Sequence, residues 1–365
     1  MTLNDFENVL LGSFPLEQWA KRRVCLATSG GADSVAALRA LARVAERAGV
    51  SNNLFVVTID HRSRGSESDG DVLFVRDLSN RLHIDFFARQ IDPNELQQES
   101  KRQGSWESAA RLLRYRLLFE TARQNGARFL VTAHHNDDQL ETLLFRIFRG
   151  SGLDGLRGIA PYRVVDESLT IVRPLLNLNR ADILDYLEKL GQPYRTDSSN
   201  ALPTYARNRI RNELIPILET LFPGKWQNSL LRLAQLANET ESYFDKRVEE
   251  LAQEVNLARK RENAYVETLN KLHAEPVQNE NKSDDYVDLP RAQLQNVPEE
   301  IVVRLLRKIW KERGWALGEM GIEEWRRLTQ AATSGTPTCQ LPDAIFVSFP
   351  NESTVRLERK RKERP

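Results

Sequence analysis

Short apolar runs and amphipathic stretches alternate through the first half of the chain. Val24-Cys25-Leu26-Ala27-Thr28 is an apolar run closed by glycines, and Ser34 to Ala48 then carries alanine and leucine at helical spacing until Gly49. That pattern predicts strand, turn and helix. Leu54 to Ile59 repeats the strand pattern, and a polar loop and a helical stretch from about Asp71 to Leu82 lead into Ile84-Asp85-Phe86-Phe87, a third strand. Trp106 to Gln124 predicts a helix ahead of Arg128 to Ala133, a fourth strand that feeds a helix starting near Asp137. Nearly continuous apolar strands alternating with amphipathic helices predict an α/β fold. Its core is a doubly wound, mostly parallel sheet covered on both faces, with ligands bound at the carboxyl ends of the strands.

Beyond Leu176 the chain turns helical, passes Pro193-Tyr194-Arg195-Thr196-Asp197 and resumes with Arg207 to Leu218; Leu221-Phe222-Pro223-Gly224 reads as a boundary. Ser229 to about His273 is long, charged and helical, and Glu275 to Asp288 is a polar stretch that reads as an exposed loop. Leu341 to Phe349 is strand-like, and the tail from Arg356 to Pro365 holds six basic and two acidic residues. The expected division is a catalytic domain over 1–220 and a second, mainly helical domain over 221–365 with a basic C-terminal tail. In the second, Ile301, Val302, Leu305, Leu306 and Ile309 form an apolar stripe, with Arg304, Arg307, Lys308 and Lys311 on the opposite face. That basic row is either a phosphate contact or the solvated side of a core helix.

A length of 365 residues fits about two domains. Lysine and arginine number 52 against 51 acids, so any nucleic-acid surface must be a local patch. Cys25 and Cys339 are the only cysteines, which fits a reducing cytoplasm and excludes a CxxC pair, a thiolate zinc site and an iron–sulfur cluster. The start of the chain lacks a basic stretch leading into an apolar one, and no run reaches the ~20 apolar residues that span a bilayer. A soluble, cytoplasmic protein with no membrane association is expected; the sequence leaves the oligomeric state open, a homodimer included.

Ser29-Gly30-Gly31-Ala32-Asp33-Ser34 lies between the first strand and its helix. Two glycines let the backbone turn sharply toward an anion, and the helix start offers N–H groups to phosphates. Gly-Gly alone would equally serve a plain strand-to-helix turn with serine and aspartate as caps. Asp60-His61-Arg62 closes the second strand. Glu107, Arg111 and Arg114 share one helical face, where an intrahelical salt bridge is the simpler account. Thr132-Ala133-His134-His135-Asn136-Asp137-Asp138-Gln139-Leu140-Glu141 follows the fourth strand. Asp138 and Glu141 are three apart, so both carboxylates can face one cavity and hold Mg²⁺ or an ammonium group. Asn136 or Asp137 would cap the helix. Arg149 to Gly158 is a glycine-rich loop, and Arg207, Arg209 and Arg211 supply cations for phosphate or an RNA backbone.

The hexapeptide resembles the SGGxDS loop of the N-type ATP pyrophosphatases, the PP-loop family, and no GxxxxGK[ST] loop of the Walker type occurs. Within that family SGGADS, HHNDDQLET, RGSGLDGL, RPLL at Arg173 to Leu176, and TDSSN followed by ARNRIRNELIPIL stand in the order and spacing of the tRNA(Ile)-lysidine synthases. The similarity covers roughly Val24 to Leu218. It departs from the usual pattern in the loop Ser63 to Ser68. The resemblance implies ATP as co-substrate and Mg²⁺ as cofactor, with AMP transferred to the wobble cytidine of the isoleucine tRNA bearing a CAU anticodon. Free L-lysine then displaces the AMP. It also implies that Ser29, Gly30, Gly31, Ala32, Asp33, Ser34, Asp60, His61 and His134 hold the nucleotide, that Asp33 lies near Mg²⁺, and that Asp138 and Glu141 take the lysine. Arg114 and Arg207 would neutralise phosphate or steady the target nucleotide. A sulfur-carrying tRNA thiolase would need paired cysteines, which this chain lacks, and a non-catalytic binding module would not account for the acidic motif.

Overall fold

A computed structural model describes residues 1–60, 66–196, 206–273, 286–335 and 338–360, with the backbone alone described at 66–69, 206–207 and 259–273. Helices α1 (Leu3–Ser13) and α2 (Leu16–Trp19) precede β1 (Arg23–Ala27), α3 (Ala32–Ala48), β2 (Leu54–Asp60), α4 (Ser66–Arg81) and β3 (Asp85–Gln90). Then come α5 (Pro93–Gln103), α6 (Trp106–Gln124), β4 (Ala127–Val131), α7 (Asn136–Phe148), α8 (Leu153–Leu156), the hairpin β5 (Tyr162–Val164) and β6 (Thr170–Val172), and α9 (Arg180–Lys189). Helix α10 (Ala206–Arg209), a π-helical turn Ile210–Leu214 and α11 (Ile215–Leu221) lead to the long α12 (Trp226–His273).

The six-stranded sheet has the order β3-β2-β1-β4-β6-β5; β5 is antiparallel to β6 and the other pairings are parallel. The predicted mostly parallel sheet is therefore present. Its apolar runs are explained by the two covered faces. Val24, Leu26, Leu54 and Val56 join α1, α3 and α9 residues in one cluster, while Cys25, Phe55 and Val57 join Leu118 and Leu130 in another. Helix α1, begun by a capping box between Thr2 and Asp5, adds Phe6 and Leu10 to the first face. Buried Glu7 receives Arg43, Arg47 and the Tyr186 hydroxyl, a charge with every partner it needs.

The chain divides into two compact units, Met1–Asn238 and Glu239–Pro365. In the first, Trp226 packs with Leu140, Leu144 and Ile210. The second holds the rest of α12, β7 (Tyr286–Pro290), α13 (Glu299–Glu312), α14 (Ile322–Ser334), β8 (Cys339–Leu341), β9 (Ile345–Asn351) and β10 (Thr354–Arg359). Its four strands form an antiparallel sheet, β7-β10-β9-β8, over a core containing Trp310, Trp315 and Trp325. Residues 286–288, read from sequence as the end of a loop, are thus strand. So is the front of the basic tail, where Arg356 pairs with Asp288 at 2.7 Å and Arg359 with Asp343 at 2.7 Å. The remainder of both, 274–285 and 361–365, lies outside the described residues. The basic row of α13 is largely consumed within the unit. Arg304 pairs with Glu241 and Glu300, Lys308 pairs with Glu249, and Arg307 stacks on Trp325 at 5.2 Å.

Candidate active site

From β1 the chain runs to β2 and β3 on one side, and it returns to place β4 on the other side of β1. Such a reversal opens a crevice at the carboxyl ends of the strands that diverge. A cavity of about 780 Å³ lies there, with Ser29, Gly31 and Asp33 after β1, Asp60 at the end of β2, His135, Asp138 and Glu141 beyond β4, and Arg114, Arg180 and Arg211 among its walls.

The glycine loop is held from within and from below. Ser34 Oγ accepts from the Ser29 N–H at 3.1 Å and donates to the Gly31 carbonyl at 2.9 Å. The Gly30 carbonyl accepts from the Arg195 N–H at 2.9 Å, and Gly31 bridges Arg195 in parallel fashion. Gly30 sits at φ +91°, and a Cβ there would meet Arg195 Cγ at 3.4 Å, so glycine is required. Gly31 has an ordinary extended conformation and is the N-cap of α3, with no side chain capping the helix. The first-turn N–H groups of α3 therefore remain for a ligand.

Four acids converge at the loop and just beyond β4, each with a cation or donor already assigned. Asp33 forms an ion pair with Arg180, the first residue of α9, and lies 3.7 Å from His135 Nε2. His135, rather than Asn136 or Asp137, is the N-cap of α7: its Nδ1 accepts from the Asp137 N–H at 3.3 Å, while its own N–H donates to Asp138 Oδ2 at 3.0 Å. An accepting Nδ1 leaves the ring proton on Nε2, which faces Asp33 and Asp138 at 3.7 Å each. Asp137 Oδ2 accepts from the Arg180 backbone N–H at 3.1 Å and so ties α9 to α7. Glu141 is buried and accepts from Arg211 Nε at 2.5 Å; Arg211 Nη2 is 3.8 Å from Asp138 Oδ1. Asp138 and Glu141 do face one cavity, and Arg211 is the cation they share.

Arg114 is different. Its guanidinium, on α6, makes no hydrogen bond or ion pair among the described residues, touching only the Tyr115 ring at 5.7 Å, and burial pulls its pKa below the usual value. A desolvated cation without a partner beside empty helix N–H groups is a demand for an anion. Asp60 accepts from Gln90 Nε2 at 2.9 Å. A smaller cavity of about 270 Å³ adjoins the loop, walled by Val57, Ile59, Tyr115, Leu118 and His134. His134 hydrogen-bonds Thr132 Oγ1 at 3.0 Å, and burial pushes its pKa down to about 3, so the ring is neutral. His61, 197–205 and the side chain of Arg207 lie outside the described residues. Arg209, in the same motif, is spent on exposed Glu213. Sequence reasoning did not find His135, Arg180, Arg195 or Arg211 as individual site residues. The arginine-rich motif around 207–211 pointed toward Arg211, and the stretch Thr132 to Glu141 contained His135.

Among the described residues no three acidic, histidine or cysteine side chains form a metal-holding group. Mg²⁺ commonly takes one or two carboxylates and completes its shell with substrate phosphates and water, which the single carboxylate of Asp33 beside the loop fits.

A doubly wound sheet carrying this loop at its reversal point is a PP-loop nucleotide-binding domain, and residues 8–218 match the family model described as the PP-loop domain. Residues 289–361 match the model described as the TilS substrate binding domain. A tRNA(Ile)-lysidine synthase of Chlorobaculum tepidum is 41% identical over 232 residues, 62% of this chain and 66% of that protein. One of Rhodopirellula baltica is 32% identical over 316 residues, covering 82% and 77%. One of Bacteroides thetaiotaomicron is 38% identical over 62% and 50%. The matched part thus spans about half to three quarters of these relatives. The U34-tRNA thiolase NcsA of Methanococcus maripaludis shares the fold at a TM-score of 0.50 and 15% identity, covering 64% of this chain and 79% of that one. The chain belongs to the tRNA(Ile)-lysidine synthase family. No helix among the described residues is long and apolar enough to cross a membrane.

Proposed function

We propose that this protein ligates free L-lysine to C2 of the wobble cytidine, position 34, of the CAU-anticodon isoleucine tRNA in the cytoplasm. ATP is consumed to AMP and pyrophosphate, giving lysidine and changing the codon read from AUG to AUA and the tRNA identity from methionine to isoleucine. The observation that carries this reading is the polarity of one cavity. Unclaimed N–H groups and Arg114 line it together with the carboxylates of Asp138 and Glu141.

In the first step the cytosine O2 attacks the α-phosphorus, the bond to the β-phosphate oxygen breaks and pyrophosphate leaves. The loop N–H groups and Arg114 face the charge that develops on the leaving group. Asp33 would hold Mg²⁺ against the phosphates, where the ion screens that charge. The apolar walls of the smaller cavity suit a nucleobase face, with neutral His134 at its edge. In the second step the lysine ε-amine attacks C2, the C2–O bond breaks and AMP departs with the oxygen. Lysine arrives as an ammonium, so Glu141 and Asp138 serve first as its counter-charge and then as proton acceptors, with Arg211 yielding part of its contact. Sulfur transfer is disfavoured, because Cys25 is buried within β1 with its thiol pKa pushed up by burial.

The test is incubation with ATP, Mg²⁺, lysine and the CAU-anticodon isoleucine tRNA, then mass spectrometry of the digested nucleosides beside a no-lysine control. A cytidine heavier by lysine minus water, formed with AMP and pyrophosphate, is expected. Pyrophosphate without that nucleoside would redirect the search to another nucleophile, and no turnover would overturn the reading.

A further inference from the structure

Resting on the reading above, we propose that a second cavity, which shares His134 as a wall with the nucleotide pocket, holds the sugar–phosphate backbone of the RNA flanking the target base. This cavity, of about 630 Å³, lies between α6, the end of α7 and the β5–β6 hairpin. Besides Arg146, whose Nη1 donates to the Gly155 and Gly158 carbonyls, four arginines line it: Arg111 on α6, Arg149 at the end of α7, Arg163 on β5 and Arg173 just after β6. Glu107 is the one carboxylate among the lining residues.

None of these four guanidiniums is paired with an acid among the described residues. Arg111 and Arg163 lie over the Tyr115 ring at 5.2 and 5.7 Å, and Arg149 lies over Phe145 at 5.2 Å. Arg173 is 6% exposed; its Nη1 donates to the Ala160 carbonyl at 2.6 Å, but its buried Nε has no partner. Burial, with the charges of Arg163 and Arg111 adding to it, pulls the Arg173 pKa below its usual value. Like charges gathered around one ring without counter-ions repel one another until an anion is supplied. The arrangement contrasts with Arg304, Arg356 and Arg359, which all carry acids.

The anion is an extended one. Four cations spread around a cavity of this size, from four separate elements, do not converge on a point as a cradle for free phosphate does. They suit successive phosphodiesters of a single strand. The shared His134 wall sets a strand bound in this cavity directly beside the nucleotide pocket, so that the target base next to the bound backbone can reach that pocket.

The experiment compares the full chain with the Arg111→Ala/Arg163→Ala double variant. Both residues are exposed, and each guanidinium lies over the Tyr115 ring. Binding of a hairpin RNA with a CAU loop is followed by fluorescence anisotropy between about 50 and 200 mM salt. Losing two phosphate contacts should weaken binding about tenfold or more and flatten the log–log salt slope by about 1.5, with Mg-ATP affinity unchanged. The Arg111→Lys/Arg163→Lys variant should keep most of the slope, since charge is retained. Unchanged RNA affinity and slope, or loss of affinity with the slope intact, would overturn the proposal. So would equal competition by inorganic pyrophosphate. The nucleoside assay on the unaltered protein decides the catalytic reading separately: lysidine formed beside an unaffected double variant removes only this inference.

Discussion

Arg211 Nε donates to Glu141 Oε1 at 2.5 Å, joining the π-helical turn after α10 to the first turns of α7 across the candidate lysine pocket. Glu141 is buried, and the guanidinium that meets its charge also reaches toward Asp138. Replacing Glu141 by Gln keeps the volume and removes the charge an incoming ammonium would meet. The expected result is a rise of about 10- to 100-fold in the KM for lysine, the value of one charge-assisted hydrogen bond, with the ATP dissociation constant moved far less. Steady-state kinetics with each substrate varied in turn checks this. A KM for lysine that does not move would remove Glu141 from the pocket.

Asp33 and Arg180 offer a second test. Asp33→Ala should abolish pyrophosphate release, whereas Arg180→Met should leave it and alter its cation requirement. If Asp33 holds the divalent ion as proposed, Arg180 competes with that ion for one partly exposed carboxylate. Because such pairs contribute up to about 1 kcal/mol, half-saturating Mg²⁺ should fall about two- to fivefold in Arg180→Met. A magnesium titration of pyrophosphate release gives the answer.

The two loop glycines should fail in different ways. Gly30→Ala places a Cβ at φ +91° against Arg195 and should cost about 1–2 kcal/mol of stability, seen as a lower melting temperature. Gly31→Ala meets nothing closer than Ser29 Oγ at 3.6 Å, so the fold should survive. Its methyl group occupies ligand space instead, and ATP affinity should drop by calorimetry while melting stays near that of the parent.

His134 predicts a pH effect of definite sign. Its pKa is about 3 in the folded chain, owing to burial, against 6.5 ordinarily, so between those values the unfolded chain binds a proton that the folded one refuses. Stability therefore rises with pH through that window and levels off above about 6.5. Glu7 adds an acid loss of its own: burial opposes its charge, but the hydrogen bonds from Arg43, Arg47 and Tyr186 outweigh that and hold its pKa below 4.5. Above about pH 5 the His134 contribution should dominate the difference between variant and parent. Urea unfolding of His134→Asn should show a flatter dependence from pH 5 to 6.5, and identical slopes would contradict the assignment.

What was legible in the sequence follows from how local each signal is. Strands β1, β2 and β4 are apolar on both faces, so Val24 to Ala27 and Leu54 to Ile59 announce themselves. The hairpin strands β5 and β6 are three residues each, too short to show a period, and β10 is masked by its arginines because the acids that neutralise them, Asp288 and Asp343, are remote or lie across a turn. In the site, loop and acids stand in contiguous motifs. Arg180 and Arg195 do not: each acquires its place only when the sheet brings α9 and the segment after it against Asp33 and Gly30. A lone arginine after an asparagine carries no sign of the carboxylate it will meet. His135 was visible beside His134, but nothing local tells which of two adjacent imidazoles caps the helix.

The hydrogen bond from the Arg195 N–H to the Gly30 carbonyl has a consequence for how the protein is made. The glycine loop is synthesised directly after β1, yet the residue that pins it is synthesised only after all six strands of the sheet. A contact of such long sequence separation closes late, once the intervening chain has collapsed onto the sheet. A nascent chain therefore cannot complete its nucleotide cradle until the sheet is built, and protection by ATP during refolding should emerge in the last phase rather than the first.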